Sequence, residues 1–451
     1  MKVTAQFCQR FADITAEHLS AELFAAVRPL ILDGIAVAMA GSRERAPTIL
    51  AQQLQAFGCL GQSTVLNFGF KSSTVGAAFV NGASMHVLDY EPMWNPPTHA
   101  LSTTLPTVLA LGEALGMAGK ELMVALIKGI EAHCRLRLAS RHYEPRGLVF
   151  HPPGVAGPIG SAVAAGHLLE LNAEQLRNAI GIAASRTGGL LANIGTMTKC
   201  THCGKAASDG LEAALLAAGG LEANPDIIEA PNGLAAALFR EDWDPTPLVT
   251  DKASWQILDP GYAIKLFPSQ YATHFVITAA LEARKDLPPN HTIAAVEIVG
   301  PEMPYVDRPQ PSSGLDAKFS FQYAAASALI DGRVGIDTFT DERLQEPDIQ
   351  AVLRKTRLIQ SCAIPASLDR MWVEVKVTEA DGRTVSGKCV RPRAAWGTPI
   401  SENEHLLKVR DCMNRALSSL ETERVIGELQ RFEQLDASEM RALMQTLAGS
   451  A

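Results

Sequence analysis

The chain has 451 residues, of which 47% are hydrophobic, 20% charged and 6% aromatic, and its formal net charge is −8 at pH 7. That length exceeds one ordinary core and predicts two domains, while the acidic balance and the lack of a Lys/Arg-rich block argue against a nucleic-acid partner. The first eight residues contain no continuous apolar core of a signal peptide, the apolar runs stop short of a membrane span, and eight scattered cysteines suit a reduced, cytoplasmic protein.

Leu19, Leu23, Val27, Leu30, Ile31 and Ile35 recur at helical spacing and predict a helix over 15–40, with another over 45–57. The segment Thr74–His86 is rich in Ala and Gly and predicts a closely packed helix. The stretch His86-Val-Leu-Asp-Tyr-Glu-Pro-Met-Trp-Asn-Pro-Pro-Thr-His99 follows. It concentrates two histidines and two carboxylates, and its prolines forbid a continuous helix through the second half. A polar, proline-stiffened loop between buried helices is where a scaffold places an active site, with Asp89 and His99 at its centre.

Helices are predicted next over 103–115 and 121–138. Residues 140–153 are read as a loop carrying Arg141, His142, Tyr143, Arg146 and His151. Further helices are predicted at 157–170 and 174–185, the second capped by Asn172 with Gln175 completing a capping box. Gly188–Gly204 is polar and glycine-punctuated, and Lys205–Gly219 is an alanine-rich helix. The two small-residue helices, 74–86 and 205–219, predict tight packing within the chain or across a dimer interface. No strand is expected before about residue 235.

The texture then changes. Residues 290–300 and Trp372–Thr378 alternate as strands do, and Asp381-Gly382 turns the second into Arg383–Val390. Helical stretches near Gln270–Lys285 and Phe319–Asp331 lie among them, and Glu402–Leu447 is helical again. The fold class is therefore mostly α: a large all-helical domain (1–264 with 396–451) and a smaller α+β lid domain (265–395).

Polar side chains concentrate in Asp89…His99, in Phe150-His-Pro-Pro153, in Gly195-Thr-Met-Thr-Lys-Cys-Thr-His202, in Lys265-Leu-Phe-Pro-Ser-Gln270 and in Pro304–Pro309. Carboxylate, imidazole, phenol and cations together suit a small polycarboxylate. Cations hold its carboxylates and stabilise an enolate while a base works at the adjacent carbon. Against this stands the plainer reading of each residue as a turn, a cap or a solvated charge. Cys200-Thr-His-Cys203 invites a metal or redox reading, but no second Cys pair lies at matching spacing and no βαβ unit precedes it. Nucleotide-binding glycine motifs and a G-x-S-x-G elbow are absent from the sequence.

With these motifs in order, the chain resembles the MmgE/PrpD family, which includes 2-methylcitrate dehydratases, cis-aconitate decarboxylases and iminodisuccinate epimerases. The resemblance rests on Asn81-Gly-Ala-Ser-Met-His-Val-Leu-Asp-Tyr90, Phe150-His-Pro-Pro153, Gly195-Thr-Met-Thr-Lys199 with Gly204-Lys-Ala-Ala207, and Lys265-Leu-Phe-Pro268. It implies a helical domain with an α+β lid, a homodimer, and no metal or organic cofactor. It also implies a small di- or tricarboxylate substrate. Matched to the animal cis-aconitate decarboxylases, Asp89, His99, His151, Lys199, Lys265 and Tyr305 fall on active-site positions. Met93 stands where those enzymes have Thr, and Gln270 where they have His. Gln cannot relay a proton as imidazole does, and Met cannot donate a hydrogen bond. The resemblance implies catalytic roles for Asp89, His99, His151, Lys199 and Tyr305, and substrate contacts for Lys199, Lys265, Gln270 and Met93. The implied activity is a lyase expelling water or CO2; an epimerase and a catalytically silent organic-acid-binding protein are the alternatives.

Overall fold

The computed structural model describes residues 2–58, 60–141, 148–239, 241, 243–251, 254–289 and 292–449. His142, Tyr143 and Arg146, and the first two residues of the strand expected at 290–300, lie outside these described residues.

Among the described residues, nine α-helices build the first half: α1 (Val3–Asp13), α2 (Ala21–Gly41), α3 (Arg45–Phe57), α4 (Thr74–Val87), α5 (Ala100–Leu115), α6 (Gly119–Ala139), α7 (Pro152–Leu168), α8 (Ala173–Ala184) and α9 (Thr198–Ala218). The Asn172–Gln175 capping box forms at the start of α8. Two helices begin five or more residues earlier than their periodicity predicts, and both shifts bear on the site. Helix α7 starts at Pro152, because proline at the first helical position surrenders only an N–H that had no partner. Helix α9 starts at Thr198, so Lys199 sits in a first helical turn and not in a glycine-punctuated loop.

Strands do occur before residue 235, contrary to expectation, but they are two or three residues long. The strands β1 (Ser63–Val65) and β2 (Phe70–Ser72) pair as a hairpin, and β3 (Met93–Trp94) pairs antiparallel with the distant β4 (Tyr262–Ala263). Segments this short have too few residues for an alternating pattern to be read. Helix α2 departs from the run-length reading too: its 21 residues reach the length and mean hydropathy of a membrane span. Of its most apolar window, 72% is buried in the protein core, where it packs against α4 and the C-terminal helices.

The second half carries a four-stranded sheet, in the order β6-β5-β7-β8, from β5 (Ile293–Pro301), β6 (Thr356–Ser361), β7 (Val373–Glu379) and β8 (Thr384–Cys389). Val373, Val375 and Val377 alternate inward, and the helix Tyr271–Arg284 covers that face. Glycine at 387 permits the close approach, since a Cβ there would lie 2.2 Å from Ala279 O. The helices Glu402–Met413, Ser419–Gln430 and Ala437–Leu447 return to the first half.

Two apolar cores result. The larger runs from Phe7 to Ile257 and takes in Leu406–Leu447; the smaller runs from Ala263 to Trp396 and includes Met93. The two rungs of the β3–β4 ladder divide between them, with Met93 in the small core and Trp94 in the large one. The loop 88–99 is thereby clamped where the cores meet. Helices α4 and α9 cross within the chain at Gly82 and Gly204, where a Cβ on Gly82 would lie 2.9 Å from Gly204 Cα. Their small-residue faces meet each other.

Candidate active site

The side chains singled out in the sequence converge on one cavity of about 520 Å³ between the cores. Asp89, Met93, His99, His151, Lys199, Lys265, Gln270 and Tyr305 all line it. Helix ends explain the convergence. His99 is the N-cap of α5, His151 the N-cap of α7, Lys199 lies in the first turn of α9, and Gln270 is the N-cap of the helix Tyr271–Arg284. The starts of four helices therefore line one space, and the partial positive charge of their N-terminal ends favours an anion there.

Asp89 follows the C-cap of α4 with φ of 50°, a left-handed conformation that Asp tolerates better than most residues. The turn aims its carboxylate at two lysines. Lys199 Nζ donates to Oδ2 at 2.6 Å, and Lys265 Nζ donates to Oδ1, to the Asp89 carbonyl at 2.9 Å and to Ser269 O at 3.1 Å. Burial alone would raise the Asp89 carboxyl; Lys199 and then Lys265 overcome it and hold it well below the usual carboxylate range. Asp89 is an ionised acceptor, too weakly basic to take a proton from carbon. Lys265 is fully buried, and its three N–H donors are all used inside the protein, which gives it the role of fixing Asp89. Lys199 borders the cavity with one protein hydrogen bond and lies 5.4 Å from the centre of the Phe319 ring. A third cation, Lys318, lies behind them on Leu88 O and Pro268 O, and burial lowers it to about 8.

Two residues that the sequence reading counted but left without a role complete the centre. Glu91 is fully buried. His86 Nδ1 lies 2.5 Å from its Oε1, Ser102 Oγ donates to the same oxygen at 2.9 Å, and His99 Nδ1 lies 3.0 Å away. Burial would raise Glu91, but His86 and then His99 hold it well below the carboxylate range. With its Nδ1 side turned to Glu91, His99 points Nε2 toward Asp89 Oδ1, 3.9 Å off, at the cavity wall. His86 is lowered to about 4 by burial and then by Lys199, and His151 is driven well below 6.5 by the same two causes. His151 Nδ1 lies 3.3 Å from His202 Nδ1. Lys199 and Lys265 offset Asp89 and Glu91, Lys318 has Glu44 as its foremost counter-charge, and Lys199 at the cavity wall suits an anion.

On the opposite wall, Gln270 Nε2 donates to Tyr305 Oη at 3.3 Å, and Gln270 Oε1 caps Ala272 N at 2.6 Å. Burial raises the Tyr305 phenol, which stays a protonated donor. Met93 is buried and offers the cavity only its thioether stem. Arg137, Arg141 and Arg370 also line the cavity, with Arg137 anchored on Pro97 O and Ser140 Oγ. Sequence reasoning missed Arg137 because nothing marks a charged residue on a buried helix face until the neighbouring loop is placed over it.

Burial beside the site has a consequence for stability. His133 bonds Thr98 Oγ1 at 2.6 Å and is lowered by burial to about 3. The unfolded chain protonates this histidine near pH 6.5 and the folded chain does not. The unfolded state thus binds more protons over that window, and stability falls as pH drops from about 6.5 toward 3, by up to about 1.4 kcal/mol per pH unit per histidine. Urea midpoints at pH 7 and pH 5 should differ accordingly, and a His133→Gln variant that still folds should show a smaller difference.

The MmgE/PrpD N-terminal domain family matches residues 5–246 and the MmgE/PrpD C-terminal domain family matches residues 267–434. The chain belongs to the MmgE/PrpD family. Within the MmgE/PrpD proteins it is similar to the cis-aconitate decarboxylase of Mus musculus, 32% identical over 448 residues, covering 96% of this chain and 91% of that protein. The Homo sapiens cis-aconitate decarboxylase is 31% identical, with 98% and 94% covered. The Aspergillus terreus cis-aconitate decarboxylase is 26% identical, with 91% and 86% covered. The mostly helical two-part fold is the MmgE/PrpD architecture, and the β3–β4 pairing shows how its two parts jointly hold the cavity.

Proposed function

We propose that this MmgE/PrpD enzyme is a cofactor-independent lyase acting on a small di- or tricarboxylic acid. The observation that carries the reading is the convergence of four helix N-termini and Lys199 on one cavity that also holds a carboxylate-oriented imidazole. The substrate's carboxylates bind against Lys199 and the helix N-termini. His99 Nε2, backed by Glu91, handles the proton at the carbon next to a carboxylate, and His151 stands by as a neutral imidazole. In dehydration, His99 takes the C–H proton, the electron pair enters the enolate and then expels the hydroxyl, which takes that proton back from His99 and leaves as water. In decarboxylation, the C–CO2 bond breaks, the pair is held on the conjugated carboxylate, and a protonated imidazole returns a proton to carbon. Lys199 stabilises the developing enolate in both.

The names of the mouse, human and Aspergillus relatives support decarboxylation as the first activity to assay. Gln270 and Met93 distinguish the pocket, since neither side chain can relay a proton. They argue for a substrate other than unmodified cis-aconitate, handled by the same His99–Glu91–Lys199 centre. A panel of di- and tricarboxylates assayed for release of CO2 or water tests this; no release from any of them, with full binding, would turn the reading toward an organic-acid-binding protein. Exhaustive chelation is expected to leave activity intact, and activity lost with stoichiometric metal would overturn the cofactor-free reading. The seven described cysteines are unpaired, six of them buried, which supports a cytoplasmic setting. We also infer a homodimer from the family; a monomer mass by light scattering at micromolar concentration would count against it.

A further inference from the structure

Behind the cavity wall, beside His151, lie two donors that the proposed reaction does not use, His86 and Cys203. His86 is 1% exposed. Its Nδ1 faces Glu91 Oε1 at 2.5 Å, and an ionised carboxylate only accepts, so Nδ1 carries the proton and Nε2 is a bare lone pair. That Nε2 is buried without a hydrogen-bond partner. One donor atom each from His86, His151 and Cys203 lie within 4.8 Å of one another, and all three residues are buried. Cys203 comes from α9, His86 from α4 and His151 from the head of α7, so three packed helices fix the spacing.

Two imidazoles and a thiol form the donor set of a tetrahedral zinc-class ion that keeps one position for a small ligand. Glu91 on His86 is the carboxylate–histidine arrangement that orients metal ligands, and His202 against His151 Nδ1 is an outer partner for the second. The overlapping set His86, Glu91 and His99 is a poorer candidate, because its close contacts are already made among its own members. His151 borders the cavity and gives an ion its entry path.

We propose that His86, His151 and Cys203 form an inhibitory site for one zinc-class divalent cation. Binding makes one metal–sulfur and two metal–nitrogen bonds, releases the Cys203 thiol proton to solvent, and involves no redox change. It takes His151 away from the cavity and seats positive charge beside Lys199. Uptake of the ion is independent of the reaction assigned above, whereas its inhibitory effect rests on that reading, so the two fail separately.

The test uses the full-length protein stripped with a chelator and returned to metal-free buffer. One equivalent of Co2+ should produce a thiolate-to-cobalt charge-transfer absorption that Cys203→Ser abolishes and Cys200→Ser leaves in place. X-ray absorption of the wild-type protein with one equivalent of Zn2+ should show one sulfur at about 2.3 Å and nitrogens at about 2.0–2.1 Å. Zn2+ should inhibit the wild type reversibly, and Cys203→Ser, with basal turnover unchanged, should weaken that inhibition by about 10–100-fold or more. An all-nitrogen/oxygen shell, a charge-transfer band that survives Cys203→Ser, or no stoichiometric uptake at micromolar metal would overturn the site. Tight uptake with unchanged turnover would overturn the inhibitory role alone.

Discussion

A Lys199→Met variant is expected to lose about 10²–10³-fold in turnover, the scale of removing one preorganised donor to a developing oxyanion. Methionine keeps most of the stem and deletes the charge. The fold should survive, because Asp89 keeps Lys265, which holds its Oδ1 and its carbonyl. The ammonium meets both the bound carboxylate and the enolate, so affinity falls as well, but by less than turnover. Steady-state kinetics on the true substrate checks this. Unchanged kinetics would return Lys199 to the role of a buried counter-ion for Asp89.

His99→Gln is the second large effect. Glutamine fills similar space beside Glu91, but it cannot exchange a proton with carbon. Turnover should fall by about 10²–10⁴-fold, the usual worth of a positioned acid or base, while substrate binding is largely kept. Glu91→Gln should mimic it in weaker form, since His99 remains but loses the carboxylate that orients it. If His99→Gln retained turnover while His151→Gln lost it, the proton would pass through the head of α7 and the roles of the two histidines would be exchanged.

What the chain revealed in advance followed from local pattern. The capping box at Asn172–Gln175 and the turn at Asp381-Gly382 are decided within a few residues, and both form in the structure. The strand β6 was missed because it pairs parallel with β5 and buries only Thr356 fully along its length, so it has no alternating signature. In the site, residue types in the 86–99 stretch and at Lys199 were enough to select the cavity. Their partners were not legible there. That Lys265 uses all its donors on Asp89 and Ser269 depends on the β3–β4 ladder, a contact between segments far apart in sequence. Glu91 and His86 were visible as polar residues, yet only the end of α4 and the start of α5 bring His86, Glu91 and His99 together. The Cys200–Cys203 motif has no second cysteine pair at matching spacing in the sequence. Two histidines on other helices now stand beside Cys203, which no spacing rule within the motif encodes.

Proton transfer at a carbon next to a carboxylate, coupled to loss of a group, is the heart of the proposed reaction. NMR of a panel of di- and tricarboxylates incubated with the enzyme in deuterated buffer reads both events at once. One acid should lose CO2 or water while a proton at the carbon next to its carboxylate exchanges with solvent, so that decarboxylation leaves deuterium on the product carbon. Deuterium exchange with inversion and nothing expelled would make the enzyme an epimerase, and a bound acid showing neither exchange nor loss would contradict catalysis altogether.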